Sequence, residues 1–240
     1  MIGQEIDRQN SSEDYSEVSS LDQLTYTNNE CKVRLTKDIV MTGAVTVNNG
    51  NRLTIDLNGH TLTAPENSKA FWIRNGALTI EDSIGGGVIQ GSGTVNGYGG
   101  AILMNGSDSN NALTLTGGTI RGFTATDGGG VYVSGGSFEM SGGTISACNA
   151  ANAGGGVYVS SGSFKMSDGS IEDCTAHEGA GVKVLASSGK ASFSMSGSGE
   201  IKNCNQDGVS IAAIGGTSEF SMSGGTIEDN SGFGVWVDNG

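Results

Sequence analysis

The chain has 240 residues, with 12 lysines and arginines against 25 aspartates and glutamates, giving a net charge of −13 at pH 7. That length buries a sizeable core, and the acidity repels phosphate backbones and anionic membrane surfaces, which excludes nucleic acid as the expected partner. Glycine occurs 42 times and proline once, which disfavours helix; the glycines do not recur at every third position, so collagen is excluded as well.

Residues 1–17 are polar and acidic and lack the apolar stretch of a signal peptide, and no run approaches the roughly 18 apolar residues of a membrane helix. This reading sets residues 1–18 apart as a disordered leader and treats 19–240 as a single domain. The segment Ser19 to Glu30 is weakly amphipathic and predicts a short helix capping the N-terminal end of that domain.

From about residue 33 the sequence repeats itself with a period of about 25 to 31 residues. GGTISACNAANAGGGVYVSSGSFKM (142–166) nearly duplicates GGTIRGFTATDGGGVYVSGGSFEM (117–140). Three apolar patterns recur in fixed order. The first runs from Val45-x-Val47 and Phe71-x-Ile73 through Val131-x-Val133 and Val157-x-Val159 to Val235-x-Val237. The second runs from Leu53-x-Ile55 through Phe138-x-Met140 to Phe220-x-Met222. The third is one aliphatic residue after a glycine turn, from Leu62 and Ile89 to Ile227. Alternation of this kind is that of strands. Strands so short cannot stand alone, but stacking equivalent coils pairs each with its counterpart above and below. The fold class read here is therefore all-β: a right-handed, three-sided parallel β-helix of about 7–8 coils with a short N-terminal cap, forming a rod roughly 35 Å long. The chain stops just after a first-pattern strand without a visible cap, which suggests a fragment of a longer chain or a stack continued by a partner, with a monomer whose frayed last coil is tolerated as the rival reading.

The repeat GGTI-x-x-C-x-A…GGGVYV…GSF-x-M, with the opening segment NRLTIDLNGHTLT (51–63), resembles the right-handed parallel β-helix repeats of large bacterial surface proteins and adhesins, which share the pectin-lyase-like fold. The resemblance spans about residues 33–240. It implies the architecture and a secreted or bacterial cell-surface location, but the same coil serves lyases, hydrolases, tailspikes and adhesins, so it does not fix a function.

Four cysteines, Cys31, Cys148, Cys174 and Cys204, show no CxxC spacing and no nearby histidine pair, so no metal site and no cofactor is expected. The last three hold one repeat position, three after the third-pattern isoleucine. They read as a column of small buried thiols, with a disulfide between adjacent coils as the alternative.

The middle residues of the first pattern point away from the core. Taken coil by coil they include Trp72, Leu103, Tyr132, Tyr158, Lys183 and Trp236. Both tryptophans fall in this row, which makes it the candidate ligand-binding stripe for a glycan or a host glycoprotein; self-stacking of the rings is the structural alternative. Longer connections at Asn105–Ala112, Ala186–Ser192 and Ala212–Glu219 are expected to form a rim beside it. No catalytic residue is assigned: the carboxylate neighbours Glu172–Asp173 and Glu228–Asp229 diverge, His177-Glu178 sits in a corner, and the acid motifs of the polygalacturonases are missing. The leading expectation is a non-catalytic, adhesin-like recognition module. A polysaccharide lyase or glycoside hydrolase and a structural spacer are the alternatives.

Overall fold

The computed structural model describes residues 15–22, 24–106, 110–238; most of the expected leader, and the tip of the 105–112 connection, lie outside them. Among the described residues every regular element is a strand, and the strands wind into a right-handed coil of about eight turns.

The three patterns become three faces. On the first face Val45, Phe71, Ile102, Val131, Val157, Val182, Val209 and Val235 stand in one parallel column. The second face stacks Leu53, Leu78, Leu113, Phe138, Phe164, Phe193 and Phe220 above Cys31, whose strand Glu30–Leu35 opens the ladder one coil before the pattern becomes recognisable. The third runs from Ile39 and Leu62 to Ile227. In-register stacking makes each apolar position a ladder in which a residue buries its neighbours as they bury it. Consequently Phe138, Phe164 and Phe193 are at most 1 % exposed, and their rings stack with centroids 4.6 and 4.8 Å apart.

The expected N-terminal helix is not formed. Asn28 and Asn29 both adopt positive φ (52° and 64°) inside a tight turn closed by reciprocal Thr27–Glu30 backbone hydrogen bonds. Two consecutive left-handed residues are incompatible with a helix and typical of a hairpin turn. The end is closed instead by an irregular strap whose Leu21 is buried and whose Leu24 and Tyr26 pack on the core. Pairing also begins earlier than the boundary at residue 19: Ser16–Val18 lies parallel to Val33–Leu35, and the Tyr15 ring covers the Arg34 guanidinium at 4.7 Å.

The opening segment 51–63 turns on Asp56. This carboxylate is fully buried, accepts from the Asn58 and Ser83 amides at 2.9 Å and meets Arg34 Nε at 2.7 Å. Those donors hold its pKa below the ordinary aspartate value despite burial, which raises it.

The cysteine column is present as free thiols. Cys148, Cys174 and Cys204 are fully buried, and each donates to the carbonyl two residues before it: Ser146, Glu172 and Lys202. Asn230 closes the column, accepting from the Cys204 amide at 3.0 Å. Contact with neighbouring thiols, together with burial, drives the Cys174 and Cys204 pKa values upward, which makes them inert packing groups.

Candidate functional site

Glycine decides what happens on the outer side of the first face. The chain leaving the third face must turn back to begin the next coil, and it does so through Gly99, Gly128, Gly154 and Gly179, all at positive φ between 52° and 67°. Each lies four residues before a member of the outward row. A Cβ at Gly154 would fall 2.7 Å from both the Val157 carbonyl oxygen and the Tyr158 Cβ; at Gly128 it would fall 2.9 Å from the Tyr132 Cβ. Only glycine permits this approach, and the result is a ridge of backbone folded against the outward row.

The row is therefore outward-pointing without being open. Leu103 is 9 %, Tyr158 8 % and Lys183 2 % exposed; Tyr132 and Trp72 are half-buried, and of these six candidates only Trp236, at 44 %, is largely accessible. The tyrosines stack on one another, Tyr132 on Tyr158 at 4.9 Å and 11°. Tyr98, a ridge residue outside the pattern, extends the stack at 4.7 Å from Tyr132. Burial pushes the Tyr132 and Tyr158 hydroxyls above their ordinary pKa, with neighbouring Asp127 adding to the rise. Trp72 takes the Arg74 guanidinium on its face at 4.6 Å and donates its indole N–H to Asn105 of the next coil.

Lys183 continues the column where a fourth ring would stand. Its ammonium donates to Glu178 Oε2 at 2.7 Å and to Ser210 Oγ at 3.0 Å. The amine is inside and Glu178, at 65 % side-chain exposure, is outside, so the carboxylate acts as a lid over a buried cation.

The ridge also places two carboxylates that no sequence motif linked. Asp127 stands in register with Ala153, and Ala153 with Glu178, which sets the acids two coils apart with a methyl between them. Asp127 is raised above the ordinary aspartate pKa, chiefly by burial and further by Glu178, against a hydrogen bond from the Ala153 amide at 3.1 Å. Among the described residues no group of three His, Cys, Asp or Glu side chains is arranged to hold a metal ion.

Open, polar surface lies on the far flank of the ridge. A shallow groove of about 510 Å³ crosses three successive coils there, lined by Asn149, Ala150, Thr175, His177, Asn205 and Gln206. Thr175 donates to Asn149 Oδ1 at 2.7 Å, and Asn205 Oδ1 accepts from the Ala176 amide at 2.9 Å. Both carboxamides are thereby fixed through their oxygens, with their N–H₂ groups as the remaining donors. The groove follows the third-to-first connection, on the other side of the first face from the expected rim. At that rim the loops stack on each other instead, Ile214 N on Ala186 O and Thr217 N on Gly189 O.

The family model described as the right-handed β-helix region matches residues 100–240. The chain belongs to that family. No curated protein and no solved structure matches it, so the β-helix protein's site is argued from its own geometry. Its charge ladders are of the ordinary solvated kind: Glu139 pairs with Lys165 at 3.3 Å and Glu172 with Lys202 at 3.8 Å across neighbouring coils.

Proposed function

We propose that this β-helix protein is a non-catalytic recognition module of the secreted or bacterial surface type, binding a glycan or glycoprotein along its lateral flank. The observation that supports the reading is the groove across three coils. It is open, shallow and rich in fixed carboxamide and hydroxyl groups, with alanine as its floor. Such a surface suits an extended polar chain lying along the rod axis and offers nothing to an apolar small molecule, which needs an enclosed pocket. Carboxamides held by their oxygens present donors to sugar hydroxyls without reorganising, which lowers the entropic cost of binding.

Within the proposed stripe the accessible rings are those of Trp236 and, in part, Trp72, while Leu103, Tyr158 and Lys183 contribute by holding the ridge in place. Calorimetric titration with polysaccharides and mucin-type glycoproteins tests the reading. Asn149→Ala with Asn205→Ala should weaken binding about tenfold or more, equivalent to about 1.4 kcal/mol. Silence from every ligand would favour the spacer function.

One observation favours a hydrolase as the second reading. Two coil spacings put the backbones of Asp127 and Glu178 about 9.6 Å apart, just past the upper limit of roughly 9.5 Å for the carboxyl groups of inverting glycosidases. Asp127 is tied to the ridge backbone and Glu178 to Lys183, which is why recognition is preferred. Reducing-end release that disappears in Asp127→Asn would reverse the preference.

A further inference from the structure

Arg34, Arg52, Lys165, Lys183, Lys190 and Lys202 each have a carboxylate oxygen 2.6–3.8 Å away. Arg74 is exposed and, among the described residues, has no carboxylate in that range. Its guanidinium rests on Trp72 instead, 4.6 Å from the ring centroid. That attraction holds the plane of the fork and leaves its N–H donors uncommitted.

The surroundings supply more donors. Asn48 pairs in register with Arg74 from the coil below, and Asn105, one residue past the Ile73–Met104 pair, follows on the coil above. An indole N–H can only donate, so the Asn105 atom that meets Trp72 is the carboxamide oxygen, and its N–H₂ group remains as a donor. Thr46, the register partner of Trp72, adds an exposed hydroxyl. The backbone ridge stops short of this place. Leu103, Tyr132, Tyr158 and Lys183 each follow a positive-φ glycine by four residues, whereas Trp72 follows Ser68, whose φ is not positive. Trp72 is accordingly half-buried where Leu103, on the next coil, is 9 % exposed.

We propose that Trp72, Arg74 and Asn105 form a binding site for a single carboxylate on a sugar, one that ends a glycan chain rather than recurring along it. The claim rests on the glycan reading above but concerns a separate place, since the flank groove is lined by residues 149–206. A guanidinium fork meets a carboxylate through two parallel hydrogen bonds, and a fork already held on a ring loses less freedom in making them. The Asn105 N–H₂ group and the Thr46 hydroxyl suit the sugar hydroxyls beside that carboxylate. One cation serves one acid. A chain with a carboxylate on every unit would set the remainder against a protein of net charge −13.

Calorimetry on the whole chain with sialyllactose, whose one charge is a terminal sugar carboxylate, beside neutral lactose provides the test. Sialyllactose should bind about tenfold or more tighter than lactose, and added sodium chloride should weaken it. Arg74→Met should bring its affinity down to the lactose level. Asn105→Asp should do the same, since it keeps an acceptor for the indole but sets a negative charge beside Arg74; circular dichroism confirms that both variants retain their strands. Trp72 emission, read in a Trp236→Phe chain, should change on binding. Asn149→Ala with Asn205→Ala should leave sialyllactose affinity unchanged, and neither polygalacturonate nor a polyglutamate peptide should displace the sugar. Equal affinity for the two sugars, Arg74 and Asn105 variants that bind like the parent, loss of binding in the flank variant, or displacement by either polyanion would each overturn the proposal. Neutral polysaccharides binding the flank while sialyllactose stays silent would remove this site and leave the recognition reading standing; silence from every glycan would remove both.

Discussion

Two aromatic ladders run side by side in this molecule, one inside the coil and one outside it. The phenylalanines at 138, 164 and 193 point inward and the tyrosines at 98, 132 and 158 outward, yet the ring spacings are nearly the same, 4.6 and 4.8 Å against 4.7 and 4.9 Å. The inner ladder is covered by the core of the coil; in the outer one a backbone ridge that glycines let fold inward buries Tyr158 and half-buries Tyr132, while Tyr98 belongs to the ridge and stays exposed. Alternation along a strand therefore gives the direction of a side chain, while its exposure is decided by whatever the connecting segment does next.

Substitutions can pull the two ladders apart. Phe164→Ala should be the most damaging, costing about 3–5 kcal/mol in chemical unfolding because it opens a cavity between two rings with no room to collapse. Tyr158→Ser should cost about 2–4 kcal/mol through lost ring contacts and burial; a solvent-facing tyrosine would cost about a few tenths. Next comes the cation in the column. Glu178→Ala strips the lid from the Lys183 ammonium and should destabilise by about 1–3 kcal/mol, and Lys183→Met in the same chain should recover most of that, since the apolar stem replaces the buried charge.

Alkaline unfolding sharpens the comparison further, because only the outer ladder titrates. The folded state holds the Tyr158 and Tyr132 protons more tightly than the unfolded chain does. Below the ordinary tyrosine value of 10.0 both rings are protonated in either state and the fold is unaffected; as pH climbs above it the unfolded chain ionises first and stability is lost. Tyrosinate absorbance from these two rings should therefore appear together with loss of strand signal, and Tyr158→Phe should move the alkaline transition to higher pH.

The fold was legible because stacking writes each core position into the sequence seven or eight times over. Val131, Val157 and Val182, or Phe138, Phe164 and Phe193, need only a spacing to be recognised. The strap at 19–30 occurs once, and its Asn28-Asn29 turn was outweighed by a faint amphipathic pattern. The ridge was harder to read because it is built from backbone. Its signal was present in the glycine four residues before Leu103, Tyr132, Tyr158 and Lys183, a regularity that means nothing until the positive φ and the missing Cβ give it a purpose. Asp127 and Glu178 were not linked in the sequence because the register along the ridge, broken by an irregularity between Ala125 and Asp127, does not follow the repeat count.

The central claim is that the tyrosine row holds the ridge in place and the carboxamide flank meets the ligand. It is tested most directly by measuring melting temperature and glycan affinity together in two double variants. Asn149→Ala with Asn205→Ala should cost about 1–2 kcal/mol of stability through the lost hydrogen bonds with Thr175 and the Ala176 amide, and lose binding. Tyr132→Ser with Tyr158→Ser should melt well below the parent. A tyrosine variant that keeps the parental melting temperature while losing the ligand, beside a carboxamide variant that binds as before, would contradict the account.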